Sequence, residues 1–517
     1  MSTEREMVNN QELQDLIADG RQGRVQFLRP RELAAVMESL GCTDHSAKAA
    51  GFDNVFSFAE YHFATFQSPA KPSKVPAHRT YAIASWVEAQ RALRKCSLSL
   101  AYAVPWIALL AIEYLRPNAL KVSPELGGAL SLSLVASLMS SGGFIQMISH
   151  SGHFYYGLEE PLLARRICMS LVNLGGTCSL LLALFGTMVS WYFHLFAGDY
   201  LFLAALNYLA LSILWMFCAV LAVQGRGWCI PLLFLVSALI IGVIKITSHL
   251  GTAILMALWP VVTVVAAFSF VVAGFRRVGM QAGTVTRVRP RRWVYAISLV
   301  PFYLYGTAYF TFLFADRLAA GSAISWVSGL SFGIDPAYKR GMDLALLAFL
   351  VTAGLAEYLG DSFLRFWHRL ARELPVSASD QLMLRLRYRH KKAMFAIVSL
   401  FVVITASEGL ALSHSDAMAA SSRLWQTALL GCLGYLLLSM ALLDTIILAS
   451  VKANSMALSG LALGLVANIA IGYGLSHLWG VQYAAVGLLA GSVIVLWKCQ
   501  KAVQQVLRRP DYHYSVS

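Results

Sequence analysis

Phe275-Arg-Arg-Val-Gly-Met-Gln-Ala-Gly-Thr-Val-Thr-Arg-Val-Arg-Pro-Arg-Arg-Trp293 carries six arginines (Arg276, Arg277, Arg287, Arg289, Arg291 and Arg292) and no acid. Long, almost continuous apolar tracts lie on either side of it. A charged side chain at the bilayer centre costs about 2.5–3.5 kcal/mol even on lenient insertion scales, so six together lie outside lipid. Lys and Arg gathered near membrane ends mark the cytoplasmic side. The stretch therefore reads as a cytoplasmic basic hinge, 276–292, between two membrane halves. For any single arginine in it, an ordinary loop role suffices.

The composition agrees. Hydrophobic residues make up 58% of the chain and charged residues 13%, against roughly 25% charged in soluble domains. A formal net charge of +14 on one face of a soluble domain would point to nucleic acid. Here the arginines sit between apolar spans, so membrane topology accounts for them and no nucleic-acid partner is expected. The first thirty residues carry nine charged side chains and no apolar core, and no cleavable signal is expected. The eight cysteines form no CxxC pattern and read as small buried residues, neither disulfides nor metal ligands.

Residues 1–75 are the part that looks soluble: a small helical cytoplasmic region with short amphipathic stretches at Leu13–Ile17, Leu33–Leu40 and Val55–Phe66. A Pro-rich linker, Ser68 to Pro76, closes it. From Cys96 onward twelve apolar spans are expected, at 97–116, 127–148, 167–193, 199–223, 228–248, 251–275, 293–315, 341–360, 393–413, 424–449, 454–476 and 481–499. Helices are the expected spanning element, because lipid offers the backbone no hydrogen-bond partner. The fold class is thus all-α and polytopic, with six-helix bundles at 96–275 and 293–505 and a cytoplasmic tail at 506–517.

Charge fixes the orientation. With the first span starting in the cytoplasm, the inner segments from Arg91 onward hold 25 Lys and Arg and the outer loops six, so both termini are expected inside. An even number of spans per half makes any internal repeat parallel, and such halves rock about a central site. Between the eighth and ninth spans, Phe363, Leu364, Phe366, Trp367 and Leu370 interleave with Arg365, Arg369 and Arg372. The basic run Arg385, Arg387, Arg389, Lys391 and Lys392 follows. The pattern suits an interfacial helix on anionic lipid or a dock for an acidic partner. The loop 316–340 reads as extracytoplasmic and partly re-entrant.

Ionisable residues inside spans are functional candidates by default. Asp444, deep in LLLSMALLDTIILAS, is the foremost: with no basic neighbour in its span it is expected to face a wet cavity. Glu408 lies in the outer half of the ninth span. Asp316 and Arg317 close the seventh and read as a boundary ion pair. Lys245 lies near the outer end of the fifth, where snorkelling explains it equally well. Asn207, Tyr208 and Asn468 could line a polar passage, although interhelical contact is the commoner use. No Walker motif, zinc spacing or nucleophile elbow is present, so neither cofactor nor catalytic residue is expected.

Several further elements recur together: Trp215 with the turn Gln224-Gly-Arg-Gly227, Tyr305-Gly306, Phe314-Ala-Asp316-Arg317, and Asp335-Pro-Ala-Tyr338 with Met342. Phe363 to Lys392 and the closing Gly472-Tyr-Gly474 and Gln482-Tyr-Ala-Ala485 with Gly487 complete the set. Over roughly residues 95–505 this order resembles the PelG-type exopolysaccharide exporters of the multidrug/oligosaccharidyl-lipid/polysaccharide flippase superfamily. The resemblance implies two bundles around a central cavity and passage of a glycan across the cytoplasmic membrane. It also implies a cytosolic glycosyltransferase and other membrane subunits as partners. The expected function is non-enzymatic saccharide export. A cation-coupled antiporter of the same architecture would need a cluster of facing acids. A polytopic glycosyltransferase or acyltransferase is the other alternative; a lipid-sugar-dependent glycosyltransferase would present acids in an early outer loop, where only Glu125 is available.

Overall fold

The computed structural model describes residues 30–66, 86–97, 123–281, 292–328, 332–373, 379–413 and 422–508, apart from isolated positions within these ranges. The expected first span, the linker and the centre of the hinge lie outside them.

Residues 30–66 form a small unit of their own: α1 (Pro30–Ser39), α2 (Asp44–Ala49) and α3 (Val55–Phe66). Pro30 opens α1, where a missing N–H costs nothing. Asn54 caps α3 by accepting the Ser57 N–H at 2.9 Å, and Asp44 accepts the Val55 N–H at 3.0 Å. Leu33, Ala34 and Met37 close on Val55, Phe58 and Ala59 to make a miniature core.

The membrane part continues with α4 (Pro124–Gly157), α5 (Pro161–Tyr192), α6 (Gly198–Val223), α7 (Cys229–Thr247) and α8 (Thr252–Gln281). After the hinge come α9 (Arg292–Ser328), α10 (Pro336–Glu373), α11 (Ser379–Ser413), α12 (Ser422–Ser450), α13 (Asn454–Trp479) and α14 (Ala484–Arg508). Among the described residues eleven helices are long and apolar enough to cross a membrane. The protein is an all-helical, multi-pass membrane protein. Exposed Leu181, Phe185 and Met188 on α5 and Leu239, Val243 and Ile246 on α7 make the apolar belt that faces lipid.

Packing repeats between the halves. α4 lies against α5 and α6, and α8 against α6 and α7. In the same order α10 lies against α11 and α12, and α14 against α12 and α13. Each half has its own core, one around Ile148, Leu214, Met216 and Val271, the other around Phe349, Phe401, Tyr435 and Leu488. The described seam between them is α4 on α9. α4 serves both sides, giving Phe144 and Ile148 to the first core and Val135 and Leu138 to the second.

Two expectations about the second half are corrected. The stretch 316–340 is not a re-entrant loop: α9 runs on to Ser328 and α10 already begins at Pro336. Nor is 362–392 a separate helix. α10 continues to Glu373 and α11 starts at Ser379, so the two project beyond the apolar spans as a helical hairpin. Phe363, Trp367 and Leu370 are buried at 1%, 3% and 3% exposure, packed in one core with Leu382 and Leu386. The apolar face that suggested lipid is used up inside the chain.

Candidate functional site

The α4–α9 seam exists because glycines allow it. A methyl on Gly306 would strike the Gly142 carbonyl oxygen, and one on Gly143 the Tyr303 ring. Small residues at facing positions let membrane helices approach at backbone distance. Next to this crossing, Phe144 meets Tyr303 edge-on, with ring centres 5.2 Å apart, and His150 stacks on Phe302 at 3.7 Å. Part-buried Tyr305 and Tyr309 follow on α9, their rings nearly parallel at 6.1 Å. Trp215 of α6 packs against both cores.

On the first-half side the seam is backed by hydroxyls. Asn207 donates to Ser133 Oγ at 2.6 Å, Tyr208 to Ser140 Oγ at 2.9 Å and Trp215 to Ser137 Oγ at 3.2 Å. Asn207 and Tyr208 are therefore interhelical contacts between α6 and α4. Asn468 has the same use, donating to the Phe312 carbonyl at 2.9 Å.

On the second-half side the groups are charged. Asp316 and Arg317 do not pair with each other. Neighbours on a helix point about 100° apart, and each finds its own partner. Asp316, fully buried, accepts from the Tyr338 hydroxyl at 2.8 Å. Arg317 reaches Asp343 at 2.8 Å, and Lys339 holds the other oxygen of that carboxylate at 3.3 Å. The cluster joins α9 to the first turns of α10. A lone buried charge costs several kcal/mol, so each of these groups depends on its neighbours.

Asp444 also differs from expectation. It is buried at 0% exposure, and His390 Nε2 of α11 lies 2.7 Å from its Oδ1. A histidine stands where the sequence points to water. The adjacent Thr445 accepts from the Tyr305 hydroxyl at 3.1 Å, tying α12 to the seam helix. A signal for His390 was present in the sequence. Leu382, Leu386, His390, Ala393, Ile397 and Phe401 recur every three or four residues, and all but His390 are buried apolar residues.

The other candidates do not join these clusters. Lys245 is exposed on α7. Glu408 is part-buried on α11, with Oε1 left without a partner among the described residues. In the basic run, Arg385, Lys391 and Lys392 are exposed and Arg387 is half-buried. Arg389 turns inward, donating to Ser362 Oγ at 2.9 Å with its guanidinium 5.7 Å from the Phe366 ring centre.

One contact went unread in the sequence. Lys95, just ahead of the expected first span, meets Asp361 of α10 at 3.1 Å. It ties the entry to the first half onto the second half, on the same side as the hinge.

The arrangement of helices has solved counterparts. The chain matches a point mutant of the Vibrio cholerae MATE transporter VcmN with a TM-score of 0.59 at 14% identity, over 83% of this chain and 99% of that one. The bent form of VcmN gives 0.58 at 15%, over 83% and 98%. A MATE structure in the straight conformation gives 0.56 at 11%, over 82% and 97%. The fold is that of the MATE transporters. No protein-family model matches the chain, and no curated protein matches it by sequence. At these identities the likeness speaks for the MATE fold alone, and the roles of individual residues rest on the geometry above.

Proposed function

We propose that the chain is an exporter that moves a saccharide across the cytoplasmic membrane through the space between its two halves. Three things support this reading: the MATE fold, the PelG-like order of motifs over 95–505, and a seam built of aromatic rings backed by hydroxyls. Aromatic faces and hydroxyls suit sugar rings, which combine apolar C–H faces with hydroxyl edges.

One observation carries the choice of cargo. Each of the three buried carboxylates among the described residues already has a partner from this chain: Asp316 has Tyr338, Asp343 has Arg317 and Lys339, and Asp444 has His390. A cation-coupled antiporter would need several facing acids left free to hold an ion, whereas the carboxylate oxygens without a partner among the described residues, Asp316 Oδ1, Asp444 Oδ2 and Glu408 Oε1, belong to separate sites. On this reading both termini are cytoplasmic, and the saccharide is delivered by a cytosolic glycosyltransferase together with other membrane subunits.

The test is deletion in the source organism. The expected result is loss of secreted polysaccharide with unchanged sensitivity to cationic dyes and drugs. Unchanged polysaccharide with raised dye retention would overturn the proposal in favour of a small-molecule antiporter.

A further inference from the structure

α5 carries a groove with basic and polar side chains in its lining, of which only Met169 also packs against the first core. Leu162, Arg165, Arg166, Met169, Ser170 and Asn173 line a cleft of about 660 Å³. Their spacing of three, four, seven and eight residues puts them on one face of the helix. Arg165 and Arg166 stand at the end of α5 nearest the hinge, both exposed. Neither has a carboxylate partner among the described residues; the Arg165 guanidinium lies 5.7 Å from the centre of the Phe275 ring. Arg276, the next residue along, is also exposed.

The groove then runs into the membrane. Asn173 is seven residues beyond Arg166, about 10 Å along the axis, and it lies within a candidate span. Ser170 and Asn173 are both exposed, and neither side chain has a hydrogen-bond partner among the described residues. Thr177 and Thr187 on the same helix instead fold their hydroxyls onto backbone carbonyls at 2.9 Å. An uncompensated amide facing hydrocarbon is costly, and an occupant with its own polar groups at that depth removes the cost.

We infer that this groove is a site for one anionic glycerophospholipid. Its phosphate sits on Arg165 and Arg166, and its ester carbonyls take the hydrogen bonds of Ser170 and Asn173. Charge complementarity points to an anion: two exposed guanidiniums stand side by side with no carboxylate partner among the described residues. Depth decides the rest, because the headgroup and interfacial zone outside the hydrocarbon is only about 5–7 Å thick per leaflet. Ser170, four residues and about 6 Å beyond Arg166, falls at the ester level of a phospholipid whose phosphate meets the arginines, with Asn173 one turn deeper. Basic pockets between spans on the cytoplasmic side hold lipid headgroups in this way.

The experiment is native mass spectrometry of the purified full chain, with phosphatidylglycerol and phosphatidylcholine offered in equal amounts. Wild type should retain one phosphatidylglycerol and exclude phosphatidylcholine. Arg165→Gln with Arg166→Gln should lower retention about thirtyfold, whereas Arg165→Lys with Arg166→Lys should keep most of it. Asn173→Leu, which leaves the charge intact, should lower retention several-fold. Equal retention of both lipids, or retention unchanged in the Gln double variant, overturns the proposal. So does displacement of the bound lipid by an equimolar polyprenyl pyrophosphate, which would make the groove a carrier site.

Discussion

His390 and Asp444 show what single residues do in this protein. The pair is enclosed between α11 and α12 at 2.7 Å, so removing one member strands the other. His390→Ala should cost about 3–5 kcal/mol, read as a large loss of thermal stability in detergent. Asp444→Asn keeps an acceptor at the same position and should cost much less. The double change His390→Leu with Asp444→Leu should cost less than the two single Leu changes added together. Strict additivity would mean the two residues do not act as a pair. Asp444 was conspicuous in the sequence because its span is otherwise apolar. Its partner was hidden, because His390 stands among Arg385, Arg387, Arg389, Lys391 and Lys392 and reads with them as solvated charge. Only the helical phase of the buried stripe sets it apart. Asp316 and Arg317 were likewise visible as ionisable residues. Their partners Tyr338 and Asp343 belong to another helix, and pairing across helices leaves no mark in the local sequence.

Among the elements, helix positions were legible and helix lengths were not. Hydropathy reports the part of a helix that lies in lipid. It misses the extension of α9 to Ser328, rich in Ala, Gly and Ser, and the polar extensions of α10 to Glu373 and α11 back to Ser379, where basic residues ride on one face and core residues on the other. Glycine gives the clearest element-level test. Gly306→Ala should lower stability by about 1–3 kcal/mol through overpacking, since its new methyl meets the Gly142 carbonyl and the Gln146 side chain. Gly176→Ala on α5 meets nothing within 4 Å and should leave stability unchanged or slightly raised. Equal losses from both would show that the α4–α9 crossing is not tightly packed. The same close approach recurs between α13 and α14, where a methyl on Gly487 would meet the Asn468 carbonyl and Gly472. Gly142, Gly306, Gly472 and Gly487 thus mark helix crossings.

At the scale of the molecule, the account rests on two similarly packed halves that shift against each other around the α4–α9 seam. Lys95 and Asp361 tie the entry of one half to α10 of the other. Their side chains are 41% and 42% exposed, so the pair adds at most about 1 kcal/mol to stability. Its expected role is to hold the hinge side shut in one state and release it in the other. The most direct test replaces Lys95 and Asp361 by cysteine in a Cys96→Ser background and bridges them with a short thiol-to-thiol reagent that reductant releases. Polysaccharide export is then followed in the same cells before and after release. The account predicts that bridging stops export and that reductant restores it. Export at the wild-type rate with the bridge fully formed would contradict it.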